Sequence, residues 1–288
     1  MFLRLLGLTL TFCSFYNSTA NPRYSFPEDF DNEKYDHHSF IKLPQDTTYT
    51  LIVYEKEKQQ LELYRQSTPD SLLSFQKDTT KLLSDVISGS QQLDHLTTFE
   101  KDSSVYLYLE FKNASPAWWV ISDSVKKASE VTLPSGQKKV ATNISFAYLY
   151  QNEYPEALNI HHDGHYHLYK WAENQYAGGS DFHHGPDSPF FGLLTFDACA
   201  IDFFDLDSDG DDDLIIAKCD GKIEVMENTG SKGKPSFTKR TRFNREMKNF
   251  RFNETPQSIQ MINTNKKNEC KLIITGKNNL KLYNFKCQ

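Results

Sequence analysis

The chain has 288 residues, enough for one large domain or two ordinary ones, with a formal net charge of −6 and a mean hydropathy of −0.60. Abundant aromatics in a polar background describe a soluble globular protein rich in β-strand. No basic stripe stands out, which excludes nucleic acid as the main partner. The Lys and Arg residues between Lys232 and Arg251 are broken up by Asn and Phe and read as the solvated face of a strand pair.

The first segment reads as an export signal over residues 1–20: Arg4 is the charged start, Leu5 to Phe15 the apolar run, and Ser18-Thr19-Ala20 the small-residue cleavage site. It is too short to span a bilayer, and no later stretch is long and apolar enough to do so. The bulk of Phe12 argues against lipidation at Cys13. The expectation is a secreted chain that starts at Asn21 and forms one repeat domain over 21–288.

Leu51 to Tyr54 and Leu61 to Tyr64 read as two strands joined through Glu55 to Gln60. Between Ser67 and Asp102 the rhythm breaks. Leu72, Leu73, Phe75, Leu82, Leu83, Val86 and Ile87 are spaced for an amphipathic helix, which predicts a short helical insertion near 70–90. Trp118 to Ile121 is a further strand. Trp118, Trp119 and Trp171 read as packing between sheets rather than as a sugar-binding surface. Asn113, Asn143 and Asn253 stand in Asn-x-Ser/Thr sequons and would be glycosylation acceptors in a eukaryotic secretory pathway.

Leu158 to Ile160 turns at Asp163-Gly164 into Tyr166 to Trp171, with His161, His162, His165 and His167 around the turn and His183-His184 beyond it. Side chains alternate along strands, so at most a few of these imidazoles converge. An exposed polar hairpin is the reading, with Zn²⁺ or Cu²⁺ binding, or titration near neutrality, as alternatives.

Residues 205–213 read Asp-Leu-Asp-Ser-Asp-Gly-Asp-Asp-Asp. Carboxylates this close repel unless a cation neutralises them, and hard oxygens at alternate positions around a turn-forming Gly are what Ca²⁺ requires. The twelfth position from Asp205 is Ile216, not the Glu of a helix–loop–helix calcium site. The flanks Ala200 to Phe204 and Leu214 to Ala217 are strand formers. The element is therefore a strand–loop–strand hairpin.

Sliding the sequence by about 58 residues lays Ser258 to Ile262 on Ala200 to Phe204 and Leu272 to Ile274 on Leu214 to Ile216. Each then turns, at Asp220-Gly221 or Asn278-Asn279, into Lys222 to Glu227 or Leu280 to Phe285. Self-similarity at this period, with three or four strands per unit, predicts an all-β propeller of about five blades, best matched over 198–240 and 256–288. Without the leader four cysteines remain, which allow three connectivities. Pairing Phe204 with Leu214 sets Cys199 opposite Cys219, and a two-residue turn at Asn278-Asn279 sets Cys270 opposite Cys287. Opposed strand residues lie within disulfide range, so these pairs are predicted.

The stretch from Ala200 to Phe237 resembles the FG-GAP/VCBS repeat of integrin α-subunit propellers and many secreted repeat proteins. The acidic loop, the Leu214 to Ala217 strand, Asp220-Gly221, Glu227-Asn228-Thr229-Gly230 and Pro235-Ser236-Phe237 occur in the repeat's order. The resemblance implies Ca²⁺ held by Asp205, Asp207, Asp209, the Asp211 carbonyl and Asp213. The next repeat has Asn263, Asn265 and Lys267 at the leading positions, and an ammonium there repels Ca²⁺, so one calcium site is expected. No Gly-flanked nucleophilic Ser, reactive Cys–His pair or His-Glu-x-x-His is present, and the expectation is that the chain is not an enzyme. The implied function is an extracellular binding or adhesion module for a protein or glycan, with calcium structural. The alternative is a secreted enzyme or lectin acting on extracellular polysaccharide.

Overall fold

The computed structural model describes residues 35–288 except 44–45, 68–74, 81, 88–90, 123, 129–142, 151, 161–165, 173–174, 178–187, 191–196, 232, 240–241, 264–268, 277–279, 286 and 288. Five small antiparallel sheets form a ring, a five-bladed β-propeller. Blade 1 is β1 (Tyr35–Ile41), β2 (Thr50–Glu55), β3 (Gln60–Gln66) and β4 (Phe75–Lys77). Blade 2 is β5 (Leu93–Lys101), β6 (Ser104–Phe111), β7 (Ala117–Ile121) and β8 (Val125–Lys127). Blade 3 is β9 (Asn143–Ala147), β10 (Glu156–Ile160), β11 (Tyr166–Ala172) and β12 (Gln175–Ala177). Blade 4 is β13 (Ala198–Phe204), β14 (Asp213–Lys218), β15 (Ile223–Asn228) and β16 (Phe237–Thr238). Blade 5 is β17 (Ser258–Asn263), β18 (Cys270–Thr275) and β19 (Leu280–Phe285).

The sequence pattern follows from each strand's place in its blade. The second strand is covered on both faces by neighbouring blades, and its residues run apolar without alternation: every residue of β2 and of β18 is buried. Five apolar clusters fill the five seams. Ile215, Ala217 and Val225 of blade 4, for example, meet Ile259, Leu272 and Ile274 of blade 5. Fully buried residues such as Ile215 and Leu272 each contribute about 1.5–3 kcal/mol.

The innermost strands β1, β5, β9, β13 and β17 pack against one another around the axis and carry polar residues into the seams. Gln260 Oε1 accepts from Phe40 N–H at 2.7 Å and its amide donates to Phe40 O at 2.6 Å, joining the last blade to the first. Ser39 Oγ lies 2.7 Å from Thr98 Oγ1, His95 Nε2 3.0 Å from Ile144 O, and Asp202 Oδ2 accepts from Met261 N–H at 2.7 Å. At the remaining seam the Tyr148 N–H bonds the Asp212 carboxylate.

Several expectations are corrected. Residues 82–87 form turns rather than a helix, and Leu83, Val86 and Ile87 are buried in the apolar cluster between blades 1 and 2, so their spacing reflects one-sided burial and not helical periodicity. Leu72 and Leu73 lie outside the described residues. The basic stretch read as a strand face holds an α-helix, α1 (Arg242–Glu246), and a 3₁₀ turn at Met247–Asn249. Phe243, Met247 and Phe250, at helical spacing, pack on the core between blades 4 and 5.

Both disulfides form as expected, Cys199–Cys219 and Cys270–Cys287, but the strand registers differ. Phe203, not Phe204, pairs with Leu214, and an irregularity between Ala198 and Ala200 shifts the pairing by one further residue beside Cys199. Cys270 pairs with Phe285, since the β18–β19 connection after Thr275 is longer than two residues. Cys287 then reaches back from beyond β19. The predicted leader over 1–20 and the turn at Asn278-Asn279 lie outside the described residues.

Burial sets the pH response of the seams. His37 and His38 are held down to about 3 and about 4 chiefly by desolvation, and His95 is lowered for the same reason. Asp202 is pushed up to about 8 by burial, against the opposing Met261 and Phe203 N–H groups. Below about pH 6.5 the unfolded chain takes up imidazole protons that the ring refuses, so these histidines lower stability as pH falls. Asp202 acts oppositely. Folded, it keeps a proton up to about pH 8 that the unfolded chain releases near 3.8, so its contribution declines as pH rises through that window. Asp202→Asn keeps an acceptor for Met261 and carries no charge. It is expected to raise Tm by a few degrees at pH 8.5, to leave it nearly unchanged at pH 4, and so to flatten the melting profile measured by calorimetry between those values.

Candidate functional site

All inner strands run the same way, so the first hairpin connection of every blade opens on one face of the ring. The acidic loop is the blade 4 connection, between β13 and β14. Gly210 has φ +92° and supplies the turn, while Ser208 takes a left-handed φ of 62°. The loop folds on its own carboxylates: Asp209 N–H donates to Asp205 Oδ1 at 3.2 Å, Gly210 N–H to Asp205 Oδ2 at 3.1 Å, and Asp211 N–H to Asp209 Oδ1 at 3.0 Å.

Of the five residues expected as ligands, Asp205, Asp207 and Asp209 converge, each offering an oxygen within 4.8 Å of the others. That spacing fits oxygens spread about a cation at roughly 2.3–2.6 Å. Asp211 follows on the loop and contributes its N–H to Asp209. Asp213 stands apart from the converging group and is buried. Its carboxylate accepts from Leu206 N–H at 3.0 Å and Asn228 N–H at 2.8 Å, tying the base of the loop to the end of β15. Burial pushes Asp213 up to about 7. Asp207 is raised by burial and then by the charges of Asp209 and Asp205. Glu227 on β15, which the sequence reading did not single out, is raised by burial and then by Asp207 and Asp209, so it belongs to the same negative field.

A second feature of this face was not legible in the sequence. A pocket of about 360 Å³ lies where the first connections of blades 1 and 2 meet, lined by Lys42, Asp46, Glu100, Lys101, Asp102 and Ser103 among others. The β5–β6 turn passes through Asp102 and Ser103, both left-handed at φ 48° and 59°. Partial desolvation of its carboxyl in the pocket raises Glu100, although the residue is exposed, against the Lys42 N–H and ammonium. Tyr148, from the β9–β10 connection, donates its hydroxyl to Glu100 O at 3.1 Å, and at 41% it is the one large hydrophobic residue among the described residues that is exposed rather than buried or half-buried.

The remaining candidates sit elsewhere. Trp118 is buried between blades 2 and 3, Trp171 packs there against Tyr154 at 4.2 Å, and Trp119 packs towards blade 1, as the core reading expected. Asn113 and Asn253 are exposed, and Asn113 Oδ1 accepts from Gln92 N–H at 3.2 Å. Asn143 is the first residue of β9. His167 lies on β11 beside Tyr169, whereas His161, His162, His165, His183 and His184 fall outside the described residues, as do Asn265 and Lys267. Two disulfides and the lack, among the described residues, of a helix long and apolar enough to cross a membrane are compatible with an extracellular protein.

No protein-family model and no curated protein sequence matches the chain. Solved structures share its ring. A thermostable family-43 glycoside hydrolase aligns with a TM-score of 0.51 at 8% identity, over 88% of this chain and 94% of that one. An endo-arabinase from Bacteroides thetaiotaomicron aligns with a TM-score of 0.51 at 14% identity, over 88% and 93%. The chain spans 63% of the BP39L lectin from Burkholderia pseudomallei and covers 83% of itself, at 7% identity and a TM-score of 0.47, too low to reason from. At these identities the likeness concerns the fold. It corrects the expectation that the chain is not an enzyme: the same ring carries glycoside hydrolases, whose chemistry needs only carboxylates brought together in space, so the absence of a linear motif has no weight against catalysis.

Proposed function

We propose that the chain is an exported five-bladed propeller that binds or cleaves extracellular polysaccharide, with blade 4 an FG-GAP/VCBS-type repeat that holds structural Ca²⁺. The observation that carries the first part is the ring itself, superposable on more than nine-tenths of two glycoside hydrolases. It supports polysaccharide over adhesion to a protein ligand. The wild-type protein, incubated with a panel of neutral and acidic polysaccharides, is expected to retard in affinity gels or release reducing ends with at least one of them. Absence of both binding and release across the panel sinks the polysaccharide reading.

The calcium part rests on the convergence of Asp205, Asp207 and Asp209, whose mutual repulsion adds to burial in raising Asp207. A bound Ca²⁺ would neutralise that repulsion and stiffen the β13–β14 connection, and it would favour the folded state by mass action. At about 100 times its Kd this amounts to about 2.7 kcal/mol, or roughly 5–10 °C in Tm for a chain of this size. Calorimetry in calcium against chelator should show such a difference, and Asp207→Ala or Asp209→Ala should remove most of it. Identical wild-type melting in both media rules the site out.

A further inference from the structure

We propose that the pocket between the first connections of blades 1 and 2, together with the ring of Tyr148, seats a neutral sugar of the polysaccharide. This rests on the polysaccharide reading above and names its site. The pocket, at about 360 Å³, is at the small end of ligand sites, which run from about 300 to 1,000 Å³, and suits a short oligosaccharide. Its wall combines what a sugar ring needs. Leu43 and Val105 give an apolar floor. Glu100, Asp102 and Ser103, all exposed at its edge, offer acceptors and a hydroxyl to sugar hydroxyls. Tyr148 stands at the Glu100 edge, 41% exposed, and offers an aromatic ring on which the C–H face of a sugar can lie.

The charges select a neutral ligand. Lys101 is bonded to Glu153 at 3.0 Å, lies 3.7 Å from Asp102, and stands over the Tyr154 ring at 3.7 Å. Lys42 interacts with Glu100. Asp46 is paired with Arg65 at 3.1 Å. The lining thus carries three carboxylates, Asp46, Glu100 and Asp102, against two lysines, of which Lys101 is already engaged by Glu153 and Asp102, so a uronate or sulfate would meet a net negative wall. Two left-handed residues in succession, Asp102 and Ser103, hold the lip in a turn that ordinarily takes Asn and Gly.

The test is affinity electrophoresis and calorimetric titration of the full chain with oligosaccharides of arabinan, xylan and β-glucan, and with oligogalacturonate as the acidic arm. Tyr148→Ala, Tyr148→Phe and Glu100→Gln are compared with wild type, with Tm measured for each to verify folding. The expected result is binding of a neutral oligosaccharide that weakens at least tenfold in Tyr148→Ala, several-fold in Glu100→Gln, and little in Tyr148→Phe, which keeps the ring. Wild-type binding that is unchanged in Tyr148→Ala and Glu100→Gln overturns the site while leaving the polysaccharide reading intact. A preference for oligogalacturonate overturns the neutral-ligand assignment. If wild type binds none of the four while also failing the wider panel, the polysaccharide reading falls and this site with it.

Discussion

Closure of the ring at the seam between blade 5 and blade 1 is the constraint on which the rest of the molecule depends. A sheet of three or four short strands has two apolar faces and can cover neither alone, so each blade is stable only between two neighbours. Every sheet here is built from one contiguous stretch of chain, with no strand exchanged between blades among the described residues. The last seam is therefore made by side chains from opposite ends of the sequence. Ile262, Ile273 and Leu280 pack on Phe40, Leu51, Val53 and Phe75, and the Gln260 amide takes up both backbone groups of Phe40. Ser258 Oγ adds a bond of 3.0 Å to His38 Nε2. A backbone N–H and C=O in a seam this apolar would each cost about 1–3 kcal/mol if left unpaired, which is why a primary amide, with one donor end and one acceptor end, fits there.

The functional face follows from closure. Because inner strands converge on the axis with one direction, the connections of five blades meet on one side, and residues far apart in sequence become neighbours. Tyr148 of blade 3 touches both Asp212 of blade 4 and Glu100 of blade 2, and Tyr49 of blade 1 donates its hydroxyl to Asn263 O of blade 5 at 2.7 Å. The acidic loop is thus one part of a continuous rim. Its base is fixed by Asp213, whose buried carboxylate is engaged by two backbone N–H groups.

Much of the fold was legible because blade architecture leaves a strong periodic trace. The uninterrupted apolar runs Leu214 to Ala217 and Leu272 to Ile274 and the Asp220-Gly221 turn carried it. At that turn Gly221 has φ +82°, and a Cβ would fall 2.0 Å from Phe252 O. The acidic loop was legible for the same local reason. Register was not, because a one-residue irregularity beside Cys199 and a longer connection after Thr275 have no signature that distinguishes them from regular pairing. The disulfides still form because bridges tolerate a range of Cα separations, here 5.0 and 5.8 Å. The spacing of Leu82, Leu83, Val86 and Ile87 imitated a helix because residues that plug a seam need the same one-sided burial. The pocket was hidden more deeply. Its walls come from residues 42–46 and 100–105 of different blades, and none of Lys42, Glu100 or Ser103 looks unusual before the ring brings them together.

Urea unfolding of Gln260→Ala tests the closure of the ring most directly. Tryptophan fluorescence reports away from the closing seam, because Trp118 and Trp171 lie between blades 2 and 3 and Trp119 lies between blades 1 and 2, and hydrogen exchange reads β1, β2, β17 and β18 at the closing seam. The account predicts a single transition seen alike by both probes, with the m-value kept and stability lowered by about 2–4 kcal/mol throughout the ring. An unchanged midpoint, or blades 1 and 5 loosening while the tryptophan transition stays in place, would contradict it.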